Sequence, residues 1–93
     1  MLVNFRYSDT DFIAYLMTLG FTYNKIEVER TREKKLKAYV YFAGEKNDLI
    51  QIQENYKNGL AQCNILDFSI NRKIIVKLIK SELLQYQVKN IEE

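Results

Sequence analysis

The hydrophobic positions near the start of the chain recur at the spacing of an α-helix. The side chains that fall on one side at this spacing are Phe12, Ile13, Leu16, Met17 and Leu19. This pattern predicts a first helix over about residues 9–19. Ser8 is its expected N-cap, and Gly20 stands where a left-handed C-cap belongs.

From Phe21 onward the hydrophobic period changes to two, which is typical of strands with one buried face. Ile26 and Val28 alternate with charged residues in the first predicted strand. In the second, Leu36, Ala38, Val40 and Phe42 share one face, and Lys37, Tyr39 and Tyr41 share the other. We expect the two strands to pair antiparallel through a loop longer than two residues, because no Asn-Gly or Asp-Gly pair joins them.

Helical spacing returns in the second half of the chain. Asn47 is the expected N-cap of a second helix, whose buried stripe is Leu49, Ile52, Tyr56 and Leu60. Asn64 is expected to cap a long third helix that reaches about residue 89. The buried stripe of that helix is Phe68, Ile75, Leu78, Ile79, Leu83 and Tyr86. The elements predict an α+β fold in the order α-β-β-α-α.

A chain of 93 residues has room for one domain, with residues 1–93 sharing a single core. We expect an ordered core over about residues 8–88, with Met1–Asn4 and Asn90–Glu93 frayed. A two-stranded hairpin is marginal alone, so the helices must cover its apolar face. Residues 60–63 are a candidate for a short third strand.

The net charge of +2 is weakly basic, but the charge is unevenly distributed. Five of the eight residues from Arg30 to Lys37 are cationic and one is acidic. The cations are Arg30, Arg32, Lys34, Lys35 and Lys37. A hairpin tip of this composition is a candidate contact for phosphate or for an acidic protein surface. The alternative is a solvated turn.

Two other patterns are candidate binding surfaces. Tyr39 and Tyr41 lie beside the basic tip, where aromatic rings can stack on bases or contact a protein partner. The alternative is ordinary strand packing. Lys73, Lys77 and Lys80 follow helical spacing and can contact a nucleic-acid backbone, unless they are only the solvated face of the helix.

Residues suited to catalysis are scarce in this chain. The sequence has no histidine, which excludes a Ser-His or Cys-His nucleophile within one chain. Cys63 is the single cysteine, so it cannot form a structural zinc site, and we expect a small, partly buried residue. Asp9 and Asp11 are explained by the helix dipole, and the three glycines form no phosphate loop. We therefore expect a non-enzyme with no cofactor and no metal.

The sequence also bears on location. A single cysteine allows no intrachain disulfide, and no segment resembles a signal peptide or is long enough to span a bilayer. We expect no membrane association and a cytoplasmic location, in the producing cell or in an infected host cell.

Several short segments together resemble a family of small domains of unknown function found in bacteria, archaea, phages and mobile elements. The segments are Ser8-Asp9-Thr10-Asp11, Ala14-Tyr15-Leu16, Gly20, Lys25-Ile26-Glu27, Tyr39-Val40-Tyr41-Phe42, Tyr56-Lys57-Asn58-Gly59, Asn64, Phe68 and residues 71–78. Lys57 stands where the family often has an aromatic residue, and the basic tip and the tail beyond Lys80 are additions. The resemblance implies a fold and a phage-like context without an activity.

These observations favour a non-catalytic interaction module of phage or mobile-element type. Its expected partner is a protein, such as a host defence complex, that binds the basic hairpin tip. One alternative is nucleic-acid binding through the hairpin and the third helix. Another is a homodimer through the apolar end of the third helix, formed by Leu83, Leu84, Tyr86 and Val88.

Overall fold

The structure is a computed structural model that describes residues 2–92, and it describes side chains within residues 2–89. The elements are β1 (Leu2–Tyr7), α1 (Thr10–Thr18), β2 (Tyr23–Arg30), β3 (Leu36–Glu45), α2 (Lys46–Lys57) and α3 (Ile65–Glu92). This confirms the α+β class and the long last helix. The order is β-α-β-β-α-α, so one strand that the sequence pattern did not predict precedes the five predicted elements.

The sheet has three antiparallel strands in the order β1-β3-β2. Phe5 of β1 pairs with Phe42 of β3, and Ile26 of β2 pairs with Val40. The strand predicted for residues 60–63 is wrong, because the third strand lies at the start of the chain. Residues 2–7 were expected partly to fray, but pairing with β3 supplies hydrogen bonds that a terminal segment lacks on its own.

The predicted hairpin is confirmed, and its register separates the two faces of the sheet. Val28 pairs with Ala38 on the apolar face, and Glu29 pairs with Lys37 on the polar face. The pattern of period two in the sequence is therefore the pattern of burial in the structure.

Helix α1 begins one residue later than predicted. Asp9, rather than Ser8, is the N-cap, and its side chain accepts hydrogen bonds from the backbone N–H groups of Asp11 and Phe12. A carboxylate in this position satisfies free N–H groups and complements the helix dipole. Gly20 follows the helix with a φ of 102°, which confirms the left-handed position predicted for it.

Helix α2 follows β3 without a loop. Glu45 is its N-cap residue, so the expectation for Asn47 is wrong, and the helix begins at Lys46. Leu49 is buried as predicted, but Leu60 lies beyond the helix and is exposed, because the chain turns at Gly59 before reaching it.

Helix α3 begins as the sequence predicts. The side chain of Asn64 accepts a hydrogen bond from the backbone N–H of Asp67 at 3.0 Å. The predicted stripe lies toward the domain, with Ile75 fully buried and the others half-buried. The last turns of the helix, at Tyr86 and Lys89, lie beside Val28 of β2.

The core lies between the apolar face of the sheet and the three helices. Its buried members are Phe12, Ile13, Ala14, Tyr15, Leu16, Val40, Phe42, Leu49 and Ile75. Two polar contacts also join α1 to α3: the Asn71 amide donates to the Thr18 hydroxyl at 3.1 Å, and Arg72 pairs with Asp11 at 2.7 Å. The helices thus share one side of the sheet, and the other side carries Tyr39 and Tyr41.

Candidate interaction surface

The hairpin tip is a closed turn with defined hydrogen bonds. The backbone N–H of Thr31 donates to the carbonyl of Lys35 at 2.8 Å, and the N–H of Lys34 donates to the carbonyl of Thr31 at 2.9 Å. Lys34 has a φ of 62°, in the left-handed region. A turn followed by a left-handed residue is a common way to close a hairpin longer than two residues. The loop is therefore longer than two residues, as predicted.

The cationic side chains of the tip are all exposed. Lys35 lies 3.9 Å from Glu33, and both side chains are 79% exposed, so this pair contributes little. Among the described residues, no ion pair within 4.0 Å involves Arg30, Arg32 or Lys34. The tip thus presents most of its positive charge to solvent.

The polar face of the sheet places cations against the two tyrosine rings. The Arg6 guanidinium lies 4.0 Å from the centroid of the Tyr39 ring, and Lys37 lies 5.5 Å from the same ring. The Lys25 ammonium lies 4.6 Å from the Tyr41 ring centroid. Within residues 2–92 no helix covers these half-buried rings; the cations of neighbouring strands do so instead.

Two glutamates complete this network. Arg6 donates to Glu29 at 2.8 Å, across the central strand. Lys25 lies 2.6 Å from Glu27, and this hydrogen bond lowers the pKa of Glu27 from its ordinary value. The Tyr41 hydroxyl also donates to Glu27, at 3.4 Å. The face is therefore internally paired, and a nucleic-acid base would have to displace Arg6 or Lys25 to stack on a ring.

The three lysines of α3 lie apart from this surface. Lys73, Lys77 and Lys80 are exposed, on the side of the helix opposite buried Ile75. Because Ile75 faces the sheet, the lysines point away from it, whereas Tyr39 and Tyr41 lie on its far side. The structure therefore does not bring the lysine stripe and the tyrosine pair together.

The residues predicted for a homodimer do not share one surface. Tyr86 is half-buried beside Val28, and Leu83 is half-buried as well. Leu84 and Val88 are exposed. Leu83 and Tyr86 therefore pack toward the domain, and two of the four residues remain on the outside.

The remaining residues considered for catalysis or metal binding are Cys63, Asp9 and Asp11. Cys63 is exposed, so the expectation of partial burial is wrong. Asp9 caps α1, and Asp11 pairs with Arg72. Over the described range 2–92, no three histidine, cysteine, aspartate or glutamate residues cluster closely enough to hold a metal ion.

One cleft joins segments that are distant in sequence. Ser8 and Asp9, at the start of α1, line a cavity of about 250 Å³ together with Tyr56 and Lys57, at the end of α2. Burial raises the pKa of Tyr56, and the charges of Asp9 and Asp11 raise it further. Neither this cleft nor the contacts of Arg6, which lies in the unpredicted first strand, were predicted from the sequence.

None of the helices within residues 2–92 is both long and apolar enough to cross a membrane. Searches of the chain against protein-family models, curated proteins and solved structures found no match.

Proposed function

We propose that this protein is a non-catalytic interaction module whose hairpin tip, residues 30–37, binds an acidic surface of a partner protein. The observation that carries the proposal is the exposure of five cations at a hairpin tip whose turn is closed by backbone hydrogen bonds. A pre-formed loop loses less conformational entropy on binding than a disordered one. Its positive field also speeds association with an acidic surface.

Two features support a protein partner over a nucleic acid. The rings of Tyr39 and Tyr41 are already in contact with Arg6 and Lys25, so the described part of the chain offers no free aromatic platform beside the tip. The lysines of α3 point away from the sheet, so the tip and that helix do not form one track for a phosphate backbone. Binding to an acidic protein surface requires only the cations of the tip, and neither the tyrosine rings nor the lysines of α3.

The resemblance to phage-type domains, together with the basic tip, supports a host defence complex as the class of partner. A small protein of this kind can bind a host defence complex at an acidic groove or at a channel that normally holds nucleic acid. The hairpin then acts as the inserted element, and the domain behind it sets its orientation.

Affinity capture from host cells with two matched variants tests the proposal. One variant reverses three charges at the tip, by Arg32→Glu, Lys34→Glu and Lys35→Glu. The other makes the same charge change on α3, by Lys73→Glu, Lys77→Glu and Lys80→Glu. We expect a partner that the wild type and the α3 variant retain and the tip variant loses. A partner retained equally by the tip variant would contradict the proposal.

The competing nucleic-acid function is tested with labelled DNA and RNA at two salt concentrations. The proposal expects no tip-dependent binding at physiological salt. Binding that weakens with salt and is lost in the tip variant would favour the nucleic-acid function instead.

A further inference from the structure

Helix α3 is apolar on two opposite faces. Its inward face packs into the core through Ile75. Among the side chains of α3 that the structure describes, five exposed apolar ones lie on the outward face: Leu66, Ile70, Ile74, Leu84 and Val88, which are 68%, 49%, 45%, 62% and 51% exposed. We call these five residues, with Lys77 and Ser81 between them, the outward stripe. A helix that is apolar on both sides is normally covered on both sides.

The spacing keeps the outward stripe on a single face. From Leu66 to Val88, successive residues of the stripe are four, four, three, four, three and four positions apart. The average spacing is close to the helical repeat of about 3.6 residues per turn. At a rise of about 1.5 Å per residue, the stripe is about 33 Å long. It is therefore a continuous surface, unlike scattered exposed residues, which need no explanation.

The middle of the outward stripe is basic. Lys77 lies on the stripe, and Lys73 and Lys80 flank it. Residues 68–81 include no acidic residue. The stripe thus has two apolar ends separated by a cluster of positive charge.

A second copy of the chain fits this surface poorly. In an antiparallel pair centred on Lys77, Leu66 would face Val88 of the second copy, and Ile70 would face Leu84. The apolar ends would match, but the lysines of both copies would meet at the centre with no acid among them. Like charges held together at an interface oppose association.

We propose that the outward stripe binds an amphipathic helix of a partner protein, with apolar residues toward both ends and acidic residues in the middle. The apolar ends of the partner helix would cover Leu66, Ile70 and Leu84, and its acids would pair with the lysines. This surface lies on the opposite side of the sheet from Tyr39. The proposal does not depend on the function of the hairpin tip.

Direct binding of a designed peptide tests the proposal. The probe is a helical peptide with leucines placed to face the apolar ends of the stripe and glutamates placed to face the lysines. A second peptide has lysine in place of every glutamate. We expect saturable binding of the glutamate peptide to the full chain and at least about tenfold weaker binding of the lysine peptide, by fluorescence anisotropy.

Charge reversal provides the specific control. With Lys73→Glu, Lys77→Glu and Lys80→Glu, the preference should invert, and the lysine peptide should bind more tightly. The tip variant with three reversed charges has the same net charge and should keep the original preference. If the tip variant loses the preference as well, binding follows overall charge and the proposal is wrong.

Truncation tests the apolar ends. Ile70→Ser with Leu84→Ser should weaken binding of the glutamate peptide by about tenfold or more. Both residues are exposed, so the fold should persist, which circular dichroism and urea unfolding would verify. Unchanged affinity in this variant would overturn the proposal.

Two further measurements test whether a second copy of the chain or a lipid surface, rather than a partner helix, covers the outward stripe. Light scattering at high protein concentration should show a monomer; a dimer lost on Leu84→Ser would show that a second copy covers the stripe. Vesicles containing phosphatidylglycerol should not bind in a stripe-dependent way. If they do, the stripe is a lipid contact and the proposal is wrong.

Discussion

The guanidinium of Arg6 on β1 lies 4.0 Å from the ring centroid of Tyr39 on β3. The same guanidinium donates to Glu29 on β2, at 2.8 Å. One side chain of an edge strand therefore crosses the central strand and contacts the other edge. It holds the polar face of the sheet together on the side that no described helix covers.

Replacing Arg6 tests this link. Arg6→Gln should lower the urea midpoint, because it removes both the ring contact and the ion pair. The loss should shrink at high salt, since salt already screens the exposed pair. Lys37→Gln is the matched control: Lys37 lies farther from the same ring, at 5.5 Å, and should have the smaller effect. Equal losses in both variants would show that the crossing contact is unimportant.

Tyr7 should make stability depend on pH in alkaline solution. Burial raises the pKa of Tyr7 above its ordinary value of 10.0. The neutral phenol therefore contributes stability that is fully present below pH 10.0 and is lost as the pH rises through the raised folded value. Tyr7→Phe should flatten the fall in stability above pH 10.0, measured by urea unfolding across that range. Superimposable curves for the two proteins would contradict this assignment.

Adjacent isoleucines on α3 should differ sharply in their contribution to stability. Ile75 is fully buried, so Ile75→Ala should lower the free energy of unfolding by about 2–5 kcal/mol. Ile74 is 45% exposed, and Ile74→Ala should cost less than about 1 kcal/mol. Denaturant unfolding of both variants measures the difference. Similar losses would mean that the helix is rotated from the orientation described.

The hairpin tip contains a residue whose backbone favours glycine. Lys34 is the one non-glycine residue with positive φ among residues 2–92. Lys34→Gly should raise the free energy of unfolding by about 0.5–1 kcal/mol, because glycine adopts this conformation without steric cost. Glu33→Gly, at the neighbouring position, should lower it. If both changes destabilise the protein, the turn does not have the closed form described.

Much of the fold could be predicted from the sequence because local patterns report local structure. Alternation in residues 36–42 predicted a strand with Val40 and Phe42 buried, and the structure confirms it. Helical spacing predicted the inward stripe of α3, and Asn64 predicted its start. The first strand escaped prediction although Val3, Phe5 and Tyr7 alternate toward the core, because the start of the chain was expected to fray and the strand is stabilised by pairing with the distant β3.

The sequence predicted which residues belong to the candidate surfaces. It did not predict how those residues are placed relative to one another. The basic tip follows from charge and strand order, and its cations are exposed. The cation over Tyr39 could not be predicted, since Arg6 reaches that ring from the missed strand. The lysines of α3 also could not be assigned to a side of the sheet from helical spacing alone.

The sequence by itself determined the composition of each face, the caps at Gly20 and Asn64 and the concentration of charge at the hairpin tip. These depend on neighbours in the chain, which hydrophobic period and backbone preference describe directly. Tertiary structure alone decided that β1 completes the sheet, that the tyrosine rings are covered by cations and that an apolar stripe of α3 remains outside. Those outcomes depend on which distant segments pack together. The local sequence pattern of one segment does not specify its distant partner.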